Sequence, residues 1–457
     1  MTTVTKSILI VALLGFAPLL RAQPLRFDFG SGPVAPGWTA VSAQTLYNED
    51  LGYGFESGPA ITDILRKKGS ELTRDFVTSP EPFRFSVRLP EGNYTVTLTL
   101  GDTQGSSSNT VKAETRRLMV ESLRTTKGEI RTVSFNVNIR TPQLSSGNSI
   151  KLNSREWDAA TGLVKTLTWD DKLTLQFYDS APAVCGVEIA PAPEDVVTVF
   201  IIGDSTVTDQ PGGGTWGQYL PRWFDGHVAV ANHAESGMTI KGFRFMRRWD
   251  KIMESCRPGD YLLIQLGTND EKSSGHDAMW PEEDLAGDWV RTHADPEKDY
   301  IWGLATMALE AKRHGMIPVI VSPMTKIDRR TATATELMTP YGINARHGAE
   351  LGECAYIDLW GMSRDIVSAI GQDALSAYSD GTHTDNYGAY LFSLCIAKGI
   401  RESGLPLKEF LLPDTPEIDP KAPHPTLQEF SCPVEPRRTP QRPPQTMPAG
   451  QTEFGPL

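Results

Sequence analysis

The stretch Val199–Gln210, VFIIGDSTVTDQ, sets a short apolar run against an abrupt polar turn. Val199–Ile202 has the length and branched content of a strand buried on both faces, and Gly203-Asp204-Ser205 stops it. A serine at that point has two readings: a hydroxyl displayed for chemistry, or a helix cap at the end of an ordinary α/β strand. What decides between them is how the other apolar runs end.

The first run begins at Val196, and four more follow at Val228–Ala231, Tyr261–Leu266, Met316–Val321 and Ala355–Leu359. Longer amphipathic stretches lie between them, such as YIWGLATMALEAKRHG (300–315) and NYGAYLFSLCIAKGIRES (386–403). In the first of these, Leu304, Met307, Ala308 and Ala311 share a face at helical spacing. Strands alternating with helices predict a parallel sheet with helices on both sides.

Ligands of such sheets sit beyond the carboxyl ends of the strands. Ser205 follows the first run, Gly237 the second (NHAESGMT) and Asn269 the third (LGTND). Asp380 and His383 precede the last helix in SDGTHTDNYG. The chemistry of an acyl transfer fits this set. A serine hydroxyl needs a base to take its proton, and imidazole, titrating near neutrality, supplies one. A carboxylate holds the imidazole in one tautomer and stabilises its charged form. The backbone N–H groups of Ser205 and Gly237 and the Asn269 amide offer donors for an oxyanion. Asp204 reads as a residue that shapes the turn. Each signal alone is weak; their order at one end of one predicted sheet is not.

These blocks resemble the SGNH (GDSL-type) hydrolase superfamily: GDST, ESG, GTND and DGTH supply its Ser, Gly, Asn and His. The resemblance implies a flavodoxin-like α/β/α fold over residues 197–412. It implies Ser205, Asp380 and His383 as catalytic residues, Ser205, Gly237 and Asn269 as the oxyanion hole, and no metal or cofactor. A narrower likeness links GDSTVTDQ, GGGTWGQYLPRWF, VANHAESGMTIKGF and DGTHTDNYGAY to the rhamnogalacturonan acetylesterase branch. Many of its members carry Arg-Ser where this chain has Met238-Thr239, and His where it has Thr268. Both changes concern the sugar-binding rim.

Residues 23–190 read differently. LRFDFG, FRFSVRLP, GNYTVTLTLGD, IRTVSFNVNIR and KLTLQFYDS alternate apolar and polar residues, with turns such as PEGN and SSGNS between them. Phe83, Phe85, Val87 and Leu89 are expected on one face, with Arg84, Ser86 and Arg88 on the other. That pattern predicts an antiparallel β-sandwich. LRFDFGSG and LGYGFE resemble the galactose-binding-like sandwich found before such catalytic domains. APAPEDVV (190–197) reads as a linker, and the tail 413–457, with VEPRRTPQRPPQTMP, as disorder or a loose wrap.

Lys6 followed by SILIVALLGFAPLL and then Arg21-Ala22 reads as a signal peptide over residues 1–22, giving a secreted or periplasmic product. The net charge of −12 argues against nucleic acid or an anionic membrane surface as a partner. The five cysteines match no metal spacing and no disulfide framework. Trp280 and Trp289, with His276 and His293, fall in the insertion 271–300; sugar stacking competes there with core filling, and a metal site with a solvated loop.

The expected partner is an acetylated polysaccharide, foremost pectic rhamnogalacturonan. Two alternatives stay open: an esterase acting on another glycan such as xylan, and a glycan-binding protein with a vestigial esterase domain.

Overall fold

The computed structural model describes residues 23–152, 157–158, 163–164, 167–179, 181–210, 213–272 and 294–432. The predicted signal peptide, Trp280, Trp289, His276 and His293 lie outside the described residues.

The amino-terminal part is β-rich. One sheet runs in the order Ile130–Ile139, Gly92–Gly101, Val184–Pro191, Leu25–Phe29, Thr39–Val41, with Asp75–Thr78 and Thr62–Leu65 attached. The other runs Tyr53–Phe55, Phe83–Arg88, Lys172–Tyr178, Ser107–Ala113, Arg117–Thr125. Pairing is antiparallel except between Leu25–Phe29 and Thr39–Val41 among the described strands. The inner faces meet through aromatic rings: Phe27 and Phe29 of the first sheet lie edge-on to Phe85 of the second, at 5.2 and 4.8 Å between centroids.

The predicted alternation holds for Phe83, Phe85, Val87 and Leu89, all buried. Ser86, however, is buried as well, because its hydroxyl bonds to Glu56 (2.7 Å) and Thr174 (2.8 Å) on the outer face. The predicted linker is also partly strand: Val184–Pro191 runs into it, pairing with Gly92–Gly101.

Beyond it the five apolar runs form one parallel sheet in the order Val228–Asn232, Val197–Gly203, Tyr261–Gln265, Ile317–Val321, Ala355–Ile357. Successive residues face opposite layers. Val199, Ile201 and Leu263 pack into one core with the helix Asn386–Glu402, whereas Phe200, Ile202 and Ile264 pack into another with Asp299–Arg313. Leu304, Met307, Ala308 and Ala311 are fully buried in that second core.

Residues 413–432 are ordered against the α/β layer: Ile418 and Cys432 are buried, and the Phe430 ring meets Tyr387 and Tyr390 at 5.5 and 5.3 Å. Arg401 donates to the Thr415 carbonyl at 2.7 Å. These few apolar and hydrogen-bonded anchors are enough to hold a proline-rich segment that the composition left without a core. None of the five cysteines forms a disulfide. Among the described residues no helix is long and apolar enough to cross a membrane.

The two parts are docked together. Asn93 Nδ2 donates to Thr198 Oγ1 (2.9 Å), Asn136 Nδ2 to the Gly226 carbonyl (2.8 Å), and Lys251 Nζ to the Gln143 carbonyl (2.6 Å). Leu118 of the β-rich part sits in the core of the α/β layer.

Candidate active site

Because the strands are parallel, the residues that follow Val197–Gly203, Val228–Asn232 and Tyr261–Gln265 all emerge on one rim, and Val197–Gly203 lies between the other two. This brings Ser205, Gly237 and Asn269 to adjacent strand ends, beside the point where the strand order reverses.

The turn that displays Ser205 is built by Asp204. Its Oδ1 accepts from the Thr206 N–H (2.9 Å) and hydroxyl (2.8 Å), and its carbonyl accepts from the N–H groups of Val207 and Thr208. A buried polar chain supports the turn from behind. Trp216 Nε1 donates to Gln265 Oε1 at 2.7 Å, and Gln265 Nε2 donates to Thr206 Oγ1 at 2.7 Å. Ser205 itself is 5% exposed.

The second element is a closed loop before the last helix. Tyr378 pairs with Thr384 as a β-bridge, and the Ser379 N–H donates to the His383 carbonyl at 2.9 Å. Inside this loop Asp380 Oδ1 accepts from the N–H groups of Thr382 and His383, both at 2.7 Å, and Oδ2 lies 2.7 Å from His383 Nδ1. A spacing of three thus lets one carboxylate hold both the backbone and the ring. Partial burial pushes the Asp380 carboxyl up, but the hydrogen bonds from the His383 ring and the two N–H groups outweigh it. The net result lies well below the usual carboxylate range, so Asp380 is ionised at neutral pH.

With Nδ1–H donated to Asp380, Nε2 is the acceptor, and the Ser205 hydroxyl donates to it at 2.8 Å. The tautomer follows from the network. The side chains of His383 and Asp380 are 36% and 54% exposed, so the site opens at the surface. A cavity of about 480 Å³ elsewhere, lined by Glu91, Asn138, Arg140 and His233, does not include Ser205 or His383.

Gly237 has φ +82°, a conformation that favours glycine. Asn269 is 4% exposed, and its Nδ2 donates to the Met238 carbonyl at 3.1 Å, tying the third strand end to the second. One N–H of the amide is used there and a second remains.

Sequence reasoning passed over Asp270, although it belongs to GTND. It is fully buried, its Oδ1 accepts from the Ile240 N–H (3.1 Å), and burial, with the Asp204 charge added, raises its pKa to about 7. The folded value exceeds the ordinary 3.8 of an aspartate in water, so the fold disfavours the charged form. Stability on this account is full below about pH 4 and declines as pH rises towards 7, by roughly 1 kcal/mol per pH unit. Asp270→Asn, neutral throughout, is expected to flatten urea-denaturation midpoints across that window; a slope equal to wild type would show that Asp270 is not its source.

Residues 201–390 match the GDSL-like Lipase/Acylhydrolase family, and residues 25–146 match the Beta-agarase/YXIM esterase-like, galactose-binding domain-like family. The chain is a carboxylic ester hydrolase: its α/β part matches the GDSL-like acylhydrolase model, and the segment before it matches a galactose-binding-like one. Among individual proteins, it is similar to the uncharacterized esterase YxiM of Bacillus subtilis (strain 168), 25% identical over 426 residues that span 89% of this chain and 98% of that protein. It is 29% identical over 240 residues to the rhamnogalacturonan acetylesterase RhgT of the same organism, across 47% of this chain and 94% of the relative. The crystal structure of B. subtilis YxiM aligns at 23% identity with a TM-score of 0.40, over 84% of this chain and 99% of that one.

Proposed function

We propose that the chain is an exported serine esterase that removes acetyl groups from a plant cell-wall polysaccharide, foremost pectic rhamnogalacturonan. The observation that carries the reading is the unbroken line Ser205 Oγ–His383 Nε2 (2.8 Å) and His383 Nδ1–Asp380 Oδ2 (2.7 Å) at the rim of a parallel sheet. His383 takes the Ser205 proton as Oγ attacks the ester carbonyl. The tetrahedral oxyanion is held by the N–H groups of Ser205 and Gly237 and the remaining amide hydrogen of Asn269. The intermediate collapses, the sugar hydroxyl leaves with the proton from His383, and Ser205 carries the acetyl group. Water activated by His383 then attacks the acyl-enzyme, releasing acetate and restoring Ser205.

The glycan assignment is supported by the acetylesterase relative and by the partial exposure of the His383 and Asp380 side chains. The export assignment is supported by the signal-like residues 1–22. The test is acetate release from acetylated rhamnogalacturonan and acetylxylan compared at equal acetyl content. Preference for the pectic polymer supports the reading. Preference for xylan moves the substrate while keeping the reaction. Release from neither, nor from p-nitrophenyl acetate, removes the esterase.

Within this mechanism Asn269→Ala deletes one oxyanion donor and is expected to lower kcat by about 10²–10³-fold, with KM little changed. A kcat within twofold of wild type would take Asn269 out of the oxyanion hole.

A further inference from the structure

The hairpin between the strands Ser107–Ala113 and Arg117–Thr125 turns through Glu114-Thr115-Arg116, with Arg117 opening the second strand. These four polar residues are each 6% exposed or less. Glu114 and Arg116 have positive φ, +55° and +66°. Non-glycine residues adopt that region rarely, and held strain of this kind marks places where a side chain must be aimed. The tip is buried because it enters the α/β part beside the loop that follows Ser205. Gln218 Nε2 donates both to the Thr115 carbonyl (2.8 Å) and to the Gln210 carbonyl (2.9 Å).

Arg116 reaches furthest. Its Nη1 donates to the Gly213 carbonyl at 2.6 Å, and its Nη2 donates to Asn386 Oδ1 at 2.9 Å. Tyr219 donates to the same Asn386 oxygen at 2.9 Å. Next to Gly213, the Gly214 carbonyl accepts from the Oγ1 of Thr384, two residues before Asn386, at 2.6 Å. There is no room for slack, since a Cβ on Gly214 would stand 3.0 Å from Asn386 Cα and 3.1 Å from Ala389 Cβ. Thr384 is covalently next to His383. The guanidinium therefore bridges the loop that follows the nucleophile to the segment that carries the base.

We propose that Arg116, supplied by the galactose-binding-like domain, is a positioning residue of the esterase reaction: by tying Gly213 to Asn386 it keeps the His383 ring on Ser205. The proposal rests on the serine-esterase reading above. It gives the β-rich domain a part in catalysis that requires no glycan of its own. The planar fork is essential, because two acceptors on separate segments are met by two N–H groups held in fixed geometry, which an ammonium does not reproduce.

The test uses the full chain with Arg116→Ala, Arg116→Lys and Asn386→Ala, reading kcat and KM on p-nitrophenyl acetate beside a thermal melt. In Arg116→Ala, kcat is expected to fall by about 10- to 100-fold with KM within twofold, as for a reacting group displaced by a fraction of its reach. Arg116→Lys, keeping one of the two bonds, falls between. Arg116→Ala combined with Asn386→Ala is no slower than the slower single variant, because both cut the same link. A folded Arg116→Ala with kcat within twofold of wild type overturns the proposal, as does a change confined to KM or to the melting temperature. If Arg116→Ala does not fold, Arg116→Lys decides: wild-type kcat overturns the proposal and a lowered kcat at constant KM supports it. The two readings separate at the wild type, since a wild-type chain without turnover removes both, whereas wild-type turnover unaffected by Arg116→Ala removes only this one.

Discussion

Ser205→Ala is expected to lower kcat on any acetyl ester by about 10⁴- to 10⁶-fold while leaving the fold and the melting temperature close to wild type. The size follows from what is lost. In the proposed mechanism the hydroxyl oxygen becomes acylated, and among the described residues no other group at the rim stands on the acceptor nitrogen of His383. Stability is little affected, because the turn is held by Asp204 and Thr206 and the chain Trp216–Gln265 behind it, none of which uses the Ser205 hydroxyl. His383→Ala is expected to cost about as much, and the double variant no more than either single one, since residues that act as a unit fail together. A fall of less than tenfold for Ser205→Ala, in protein shown to be folded, would place the nucleophile elsewhere and end the mechanism. Residual activity well above the uncatalysed rate is compatible with it, because the oxyanion donors survive the substitution.

The parts of this arrangement that could be read from the sequence are those whose cause is local. A parallel sheet buried on both faces leaves short apolar runs, and five of them became its five strands within a residue or two at each end. Asp380 and His383 lie in one turn, so their spacing of three already encodes their contact. Ser205, Gly237 and Asn269 are far apart in the chain, yet the rule that parallel strands share a carboxyl end gathers them. Ser86 escaped for the complementary reason. Alternation marks one buried face only, and a second face covered by hydrogen-bonded polar residues gives no apolar signal. The Glu114–Arg117 tip was the least legible. A run of charged residues in a hairpin reads as a solvated turn, and its burial depends on acceptors 92 to 270 residues away. The tail to Cys432 is a milder case, ordered by single contacts from Ile418 and Phe430 rather than by any periodic pattern.

The same tip carries the largest expected effect on stability. Arg117 Nε donates to Asp209 Oδ2 at 2.7 Å, and both side chains are 2% exposed or less. Arg140, also from the β-rich part, brings Nη2 to 3.8 Å from the same oxygen, stacks its guanidinium over the Trp169 ring at 4.6 Å and donates to the Asn232 carbonyl. Asp209 Oδ1 in turn accepts from Asn232 Nδ2 at 3.0 Å. One carboxylate therefore faces two buried guanidiniums, and burial together with the Arg117 charge already pushes Arg140 down to about 9. Asp209→Ala leaves both cations in the interior without it, and removing one partner of a buried pair costs about 3–5 kcal/mol. Truncating Arg117 as well, as Arg117→Met in the Asp209→Ala background, relieves one of the stranded charges and is expected to recover part of that loss. Because the pair crosses the boundary between the β-rich and α/β parts, cooperativity changes as well as stability. Wild type is expected to unfold in urea as one transition by fluorescence and circular dichroism, and Asp209→Ala at a lower midpoint with the two probes no longer coincident. A wild-type midpoint in Asp209→Ala would mean that the ion pair adds nothing to docking. The β-rich domain would then be held by its other contacts, such as Asn93–Thr198 and Lys251–Gln143, rather than through the loop that carries Ser205.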